Sequence, residues 1–287
     1  MEAIERPPVT FWSDVWRRFR KNRLAMFGLV LLALMLLMAA VGPLLTPYDA
    51  SANNWAIGNK GPSHEHWFGT DQLGRDIFTR AWIGTRISLF IGITAALLDV
   101  TIGTLYGVIS GFSGGVVDDV MMRFIDIMYG VPYLLLVILL LVVVGAGLWT
   151  IILAMGISGW IGAARLIRGQ VLQLKEQEFV LAARTLGANS WRIMLRHLVP
   201  NVLGFLLVNM TLTIPGAIFG EAFLSFIGLG IQPPLASLGT MISEGYQVYR
   251  LYPYQWFIPG MILAIILFAF NVVGDGLRDA LDPKLRQ

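Results

Sequence analysis

The chain has 287 residues, of which 56% are hydrophobic and only 14% are charged. This composition excludes an ordinary soluble domain of this length and favours a protein whose solvent is largely lipid. The sequence contains no cysteine, which excludes disulfide bonds and thiol catalysis.

The N-terminal segment, residues 1–23, mixes aromatic and basic side chains. In "FWSDVWRRFRKNR", the aromatic residues Phe11, Trp12, Trp16 and Phe19 stand among five basic residues. This pattern predicts an amphipathic cytoplasmic helix on the anionic inner leaflet. The alternative is a positively charged flank of the first span with interfacial aromatics, and either arrangement would anchor the segment at the membrane surface.

Six apolar runs predict transmembrane helices. The first, Leu24–Leu45, carries no charge and is long enough to cross a hydrocarbon core of about 30 Å at about 1.5 Å per residue. A cleaved signal peptide is the alternative, but the run is too long and the following "TPYDASANN" lacks a convincing small-residue cleavage site. The other five predicted spans are Ile87–Phe112, Met121–Val144, Leu148–Ala164, Val202–Ile227 and Trp256–Val273.

The basic residues predict the orientation of these spans. With both termini in the cytoplasm, 16 of the 21 Lys and Arg residues face the cytoplasm, as the positive-inside rule requires. This sidedness accounts for the net charge of +3 without a nucleic-acid partner. The five basic residues left outside are Lys60, Arg75, Arg80, Arg86 and Arg250.

Two external segments follow from this orientation. Residues 46–86 form a long polar loop in which His64 and His66 flank Glu65. These three residues suggest a metal site, but the remaining ligands of any recognised spacing are missing, so an ordinary surface loop is favoured. Residues 228–255 mix apolar residues with glycine and proline, which indicates either a re-entrant lid over the path or a simple external loop.

Ionisable residues inside the spans are candidates for the transport path. Asp99 stands near the middle of the second span, where a carboxylate costs several kcal/mol unless it is paired, protonated or facing a polar cavity. A paired or neutral carboxyl in helix packing is the alternative. Glu221, toward the outer end of the fifth span, is the second candidate, with exposure at the interface as its alternative. Asp119, Arg123 and Asp126 have the spacing of mutual salt bridges on one helix.

The insert of residues 176–200 separates two apolar runs. Its sequence predicts a short helix over Glu178–Leu186, a stop at Gly187, and a second helix over Trp191–Leu198 that Asn189 or Ser190 caps and Pro200 closes. Helices this short are marginal alone, so the pattern predicts that the insert docks in a partner's groove. A helix that rests on lipid is the alternative.

The stretch "AARTLGANSWRIMLRHLVP" resembles the cytoplasmic signature of ATP-binding-cassette importer permeases. Ala182, Ala183, Gly187 and Pro200 match with the right spacing, whereas Leu181 stands in place of the usual glutamate. His197 and Val199 replace the usual isoleucine and leucine.

Further blocks, in the same order over Leu24 to Arg286, resemble the second permease subunit of dipeptide and oligopeptide importers. They are "FGTDQLGRDIFTR", "GTRISLFIG", "MRFIDIMYGVP", "EAFLSFIGLGIQPP", "LGTMI" and "FNVVGDGLRDALDPKLR". The resemblance implies an all-α membrane protein with six transmembrane helices of the type I importer permease fold. It also implies a first helix 24–45, a five-helix core 87–275, a cytoplasmic tail 276–287 and a location in a bacterial or archaeal plasma membrane.

The resemblance implies a set of partners as well. These are a homologous permease, two cytoplasmic ATPases that use ATP and magnesium, and an external solute-binding protein that delivers peptide; this chain itself would bind no cofactor or metal. The insert would couple to an ATPase through Glu178, Phe179, Ala182, Ala183, Arg184, Gly187, Ala188, Arg192 and Pro200.

Two alternatives remain at this point. The same machinery could carry a nickel chelate, an opine or a sugar-peptide, because the delivering protein does much of the selecting. An intramembrane enzyme is the other class, but the three histidines, His64, His66 and His197, all lie outside the predicted spans. The sequence also has no Gly-Lys-Ser/Thr phosphate loop, so we expect no ATP hydrolysis by this chain.

Overall fold

The structure, a computed structural model, describes residues 11–281. Residues 1–10 of the predicted N-terminal segment and 282–287 of the predicted tail lie outside the described residues. The described chain is helical, with a single isolated β-bridge between Thr70 and Asp76. Its α-helices are α1 Phe11–Lys21, α2 Arg23–Val41, α3 Ile77–Ser113, α4 Gly115–Tyr129, α5 Tyr133–Val144, α6 Leu148–Ser158, α7 Trp160–Leu174, α8 Glu178–Thr185, α9 Ser190–Ile193, α10 Val199–Phe226, α11 Leu238–Tyr246 and α12 Tyr254–Leu281.

Five helical stretches of residues 11–281 are long and apolar enough to cross a membrane, and the bent pair α4–α5 makes a sixth if it counts as one span. The five are Arg23–Leu44, Ile77–Ser113, Leu148–Leu174, Ser190–Phe226 and Tyr254–Leu281. Each overlaps one of the predicted spans.

Helix α3 begins at Ile77, ten residues before the predicted Ile87. The side chain of Asp76 caps it by accepting a hydrogen bond from the backbone N–H of Thr79 at 2.8 Å. The added turns bury Ile77 and Trp82 against the core. Hydropathy alone missed them because this part of the helix also carries polar residues.

The third predicted span is not one straight helix. Helices α4 and α5 meet at an angle of 78° across Gly130–Pro132. Pro132 has no backbone N–H and disfavours a helical conformation of Val131, so the hydrogen-bond ladder stops there. The predicted span Met121–Val144 therefore corresponds to two helices that meet at a bend.

The longest helix contact, between α3 and α7, depends on small residues. A Cβ atom added at Gly107 would lie 2.5 Å from the carbonyl oxygen of Ala164, and one at Gly103 would lie 2.6 Å from the Cβ of Ala163. Gly111 continues the same close approach toward the end of α3. Glycine at these positions lets the two backbones approach closely, as is typical of helices packed in lipid.

Candidate functional site

Helix α8 is held against the rest of the chain through one of its faces. Val180 is fully buried and Ala183 is 8% exposed. Both belong to an apolar cluster with Val171 of α7 and with Leu198 and Val202 near the start of α10. This packing stabilises a helix that is too short to be stable alone in water.

Gly187 produces the bend after α8 through its backbone conformation. Its φ is +78°, in the left-handed region that disfavours residues with a side chain. The N–H of Ala188 donates to the carbonyl of Ala183 at 3.0 Å, and the N–H of Gly187 donates to Arg184 at 2.9 Å. These two bonds form a Schellman motif with glycine at its left-handed position. The predicted stop at Gly187 is confirmed.

Outside this packed side, the insert exposes large apolar side chains. Leu186, at the apex of the bend, is 87% exposed, and Trp191 at the start of α9 is 59% exposed. Phe179 and Leu181 are exposed on the same helix, α8. A cluster of this kind on a protein surface marks contact with a partner or with lipid. We call these four residues, Phe179, Leu181, Leu186 and Trp191, the exposed face of the insert.

The remaining predicted residues of the insert surround this face. Glu178, Ala182 and Arg192 are exposed, and Ala188 is half-buried. The guanidinium of Arg184 lies 5.2 Å from the ring centroid of Phe112 at the end of α3, which is a cation–π contact within the chain.

The second helix of the insert starts as predicted and ends differently. Asn189 provides the cap, since its side chain accepts a hydrogen bond from the N–H of Arg192 at 2.8 Å. The prediction that Pro200 closes this helix is wrong, because α9 continues through a π turn, Met194–Leu198, into α10. A wider π turn accommodates the proline ring that would clash in a regular α-helix.

Asp99 faces the junction of α6 and α7. It is 6% exposed, and no hydrogen bond from the described residues reaches its Oδ1 atom. A Cβ atom added at Gly159 would lie 2.2 Å from Asp99 Oδ2, so glycine at the junction makes the space for this carboxyl. Asp99 thus lies inside the chain with hydrogen-bonding capacity to spare. Its place in a transport path stays a prediction.

Glu221 is fully buried in a hydrogen-bond network of serines. Ser88 donates to one carboxylate oxygen at 2.8 Å and Ser225 to the other at 2.7 Å. The hydroxyl of Ser88 also accepts a bond from the N–H of Leu238 at 3.3 Å. The alternative of exposure at the membrane interface is therefore wrong, while the role of Glu221 in the path stays a prediction.

Ion pairs near the insert join α4 to α7 and were missed by sequence reasoning. Arg168 contacts both carboxylate oxygens of Asp118, at 2.6 and 2.5 Å. Arg165 contacts Asp126 at 2.7 Å, so Asp126 is bridged across helices, whereas the sequence suggested bridging within its own helix. The spacing of Arg165 and Arg168, three residues apart on α7, is the sequence feature that could have indicated these ion pairs.

A second set of charges lies at the opposite end of α3. Arg75 contacts Asp71 at 2.6 Å and Glu244 of α11 at 2.9 Å, and Arg80 contacts the same two carboxylates at 3.0 and 2.8 Å. We call these four residues the charged clasp. Burial raises the pKa of Glu244, and the Arg75 guanidinium opposes that rise. Sequence reasoning did not find the clasp because Glu244 lies 169 residues after Arg75 in the chain.

The suggested metal cluster does not assemble. His66 is buried and its Nδ1 atom lies 2.9 Å from the Asp76 carboxylate, whereas His64 is exposed. Within residues 11–281, no group of three or more His, Cys, Asp or Glu side chains is placed to hold a metal ion. The alternative of an ordinary loop is favoured, with His66 and Asp76 fastening it to the cap of α3.

Two known families match this chain. Residues 103–287 match the family described as the binding-protein-dependent transport system inner membrane component, and residues 10–62 match the N-terminal transmembrane domain of oligopeptide transport permease C. The chain belongs to the binding-protein-dependent transport permeases. It is a multi-pass protein of the bacterial inner membrane with a transport role.

Relatives of this permease match over nearly their full length. The oligopeptide transport system permease protein OppC of Bacillus subtilis (strain 168) is 56% identical over 100% of this chain and 94% of its own length. The dipeptide transport system permease protein DppC of the same organism is 51% identical over 100% of this chain and 90% of its own length.

A solved structure supports the fold of the permease. An inward-facing form of the MetNI methionine ABC transporter superposes with a TM-score of 0.52 at 22% identity and covers 70% of this chain and 97% of that chain. The all-α permease architecture that the sequence predicts is therefore confirmed for the described residues.

Proposed function

We propose that this permease forms half of the import path for dipeptides and oligopeptides in an ATP-driven transporter. The two Bacillus subtilis relatives support this substrate class, because their names specify oligopeptide and dipeptide transport. The other half of the path is a homologous permease. An external solute-binding protein delivers the peptide, and two separate ATPase subunits supply the work with ATP and magnesium, while this chain binds no cofactor.

In the proposed topology, six spans cross the membrane with both termini in the cytoplasm. The bent pair α4–α5 counts as one span, and the division into helix 24–45, loop 46–86, core 87–275 and tail 276–287 is retained. The uneven distribution of basic residues supports this orientation. It places the insert in the cytoplasm and the charged clasp outside.

The exposed face of the insert is the observation that carries the proposal. Large exposed apolar side chains in the cytoplasm indicate a surface that a partner covers, and the apex residue Leu186 lies beyond the last turn of α8. We therefore propose that this face docks in a groove of an ATPase. Glu178, Arg184 and Arg192 orient it at the rim, where charges contribute more to specificity than to affinity.

The opposite face of the insert makes the docked helix a lever. Val180 and Ala183 pack on α7 and on the base of α10, and the Lys175 side chain donates to the carbonyl of Gly111 at 3.0 Å. A displacement of α8 by the ATPase therefore moves α3, α7 and α10 together. The coupling needs contacts that differ in free energy between the two ATPase states.

Of the two carboxyls proposed for the path, Asp99 and Glu221, we favour Asp99 for contact with a polar group of the substrate. Both oxygens of Glu221 already accept hydrogen bonds from serines, whereas Asp99 has acceptor capacity to spare. The α6–α7 junction beside Asp99 is the element whose movement would open this carboxyl to the path.

The coupling role is tested by replacing Gly187 with valine. The left-handed φ of this position makes a β-branched residue unfavourable, so the bend must change although nothing lies within 4 Å of an added Cβ. We expect Gly187→Val to insert into the membrane normally and to lose the ATPases in a pulldown.

The matched control is Gly169→Val in α7, where an added Cβ also meets nothing within 4 Å and the backbone is helical. The control is expected to retain the ATPases. Unchanged recovery of the ATPases with Gly187→Val would contradict the coupling role.

A further inference from the structure

A groove of about 350 Å³ lies between α1 and the end of α12, apart from the insert and the clasp. Its α1 side is lined by Arg17, Arg18 and Lys21, and its α12 side by Gly276 and Asp279. We call it the basic groove. Three basic side chains and one acidic side chain give its lining a positive balance.

Close packing of three helices builds the groove. Val15 and Phe19 of α1 are buried in an apolar cluster with Ala25 of α2 and Ala280 of α12. A Cβ atom added at Gly276 would lie 2.2 Å from the Cβ of Ala25, so glycine allows α12 to reach the first turn of α2. This contact fixes α1 beside the end of α12. The basic residues of α1 therefore line the groove between the two helices.

Asp14 positions two of the basic side chains. It contacts Arg17 at 2.5 Å and Arg18 at 2.9 Å. The Arg17 hydrogen bond holds the pKa of Asp14 below its ordinary value, so the carboxylate stays charged at neutral pH. A guanidinium has five N–H donors in a planar fork that suits phosphate oxygens, and most of the Arg17 side chain, 62%, is exposed.

Exposed aromatic and apolar residues precede and follow the groove lining along the chain. Trp12 and Trp16 of α1 are 54% and 50% exposed, and tryptophan favours the membrane interface. Leu24 and Phe27 of α2, directly after the groove in the chain, are 58% and 56% exposed. A ligand here has its charged group between the helices and apolar chains along α2.

We propose that the basic groove binds the phosphate head group of an anionic phospholipid from the inner leaflet. The phosphate contacts Arg17 and Lys21, and the acyl chains lie along the exposed side of α2. The lipid thereby joins α1 to the ends of α2 and α12. The proposal rests on the cytoplasmic placement of the N-terminus and is independent of the transported substrate.

The test compares two double variants that remove the same charge. Arg17→Gln with Lys21→Gln alters the groove lining, whereas Arg20→Gln with Arg23→Gln alters exposed residues of the same flank that do not line it. The full-length chain is purified with its partner subunits in mild detergent containing equal amounts of phosphatidylglycerol and phosphatidylcholine. Native mass spectrometry then measures the retained lipid, without peptide or ATP.

We expect the wild-type chain to retain phosphatidylglycerol in preference to phosphatidylcholine. Retention should fall about thirtyfold in the groove variant, since each direct hydrogen bond from a basic side chain to the phosphate contributes roughly a factor of five, and it should stay near the wild-type value in the control. An equal loss in both variants would show diffuse attraction to the leaflet and overturn the groove. Displacement of the lipid by millimolar inorganic phosphate would overturn the lipid as the ligand.

Because no transport is measured, the test separates this proposal from the transport function. A complex that imports peptide but retains no phosphatidylglycerol contradicts only the groove. A complex that retains the lipid in the groove but imports no peptide contradicts only the transport proposal.

Discussion

At one end of α3 charged side chains are turned inward onto one another, whereas beyond its other end apolar side chains are turned outward. The charged clasp buries Arg75 and Arg80 against two carboxylates. The insert leaves Leu186 almost fully exposed. The two ends are separated by 37 helical residues, about 55 Å at about 1.5 Å per residue.

The difference indicates that contacts within the chain stabilise the clasp, whereas the insert exposes a surface for a partner. At the clasp, α11 is locked by close contacts as well as by charge, because a Cβ at Gly239 would lie 2.5 Å from the Cα of Ala222. These contacts hold α11 against α10 and, through Arg80, against α3. The re-entrant lid and the simple external loop both stay predictions for residues 228–255. No segment of the described chain covers the exposed face of the insert. The free energy of burying this surface therefore depends on the partner that docks there.

The largest effect should come from breaking the clasp. Arg80 is 3% exposed on its side chain and contacts Asp71 and Glu244. Arg80→Ala removes a buried guanidinium from Asp71, which is 7% exposed, and from Glu244, whose side chain is 38% exposed. Arg75 still contacts both carboxylates, so we expect a cost of about 3 kcal/mol of folding free energy. We expect a large fall of the melting temperature in detergent.

The matched control for the clasp is Arg250→Ala, in the segment of residues 228–255 that also contains Glu244 of the clasp. Arg250 is exposed and contacts the ring of Tyr249. The Arg250→Ala substitution should change the free energy of unfolding by less than about 1 kcal/mol. Equal melting temperatures for the two variants would mean that the clasp does not stabilise this end.

A smaller effect is expected at the insert, and it should appear in binding and not in stability. Leu186→Glu places a charge at the apex, where 87% exposure leaves room for it in the free chain. If the apex is an anchor of the interface, ATPase binding weakens by about 2 kcal/mol, roughly thirtyfold. The measurement is the dissociation constant for the ATPases, beside a melting curve that should not change.

Leu251→Glu is the control for that charge. Leu251 is 77% exposed in the segment of residues 228–255, away from the insert. Weakened ATPase binding by this variant as well would indicate a general effect of added charge.

The smallest effect is expected between the two ends, at Asp99. Asp99→Asn keeps the shape of the side chain and removes a buried carboxyl that lacks a full set of hydrogen bonds. Stability should therefore stay the same or rise, because a buried charge is costly without partners. Peptide import should slow several-fold in proteoliposomes, and import at the normal rate would contradict a role in the path.

The insert was predictable from sequence because its signals are local. Gly187 at a left-handed φ and Asn189 as a cap act on backbone groups within a few residues, so both could be located without a fold. The predicted helix end at Pro200 was wrong because a π turn in the preceding residues accommodates the proline ring. No local sequence pattern indicates this π turn.

The charged clasp and the serine network around Glu221 were not predictable in this way. Arg75 and Glu244 are 169 residues apart, and Ser88 and Glu221 are 133 apart. Only the packing of α3 against α10 and α11 brings them together. Hydropathy could indicate that Glu221 is costly in a span, but it could not supply the hydroxyl groups that satisfy its carboxylate.

By itself the sequence determined that this is a helical membrane protein, where most of its spans run, and that a bent insert interrupts them. These features depend on apolar length, charge distribution and local backbone chemistry, which are read along one segment at a time. The tertiary structure alone decided which face of the insert is exposed, how the charges of the clasp are paired, and where a groove opens between α1 and α12. Each of these depends on side chains from distant segments meeting in space, and the pattern of any one segment carries no information about that meeting.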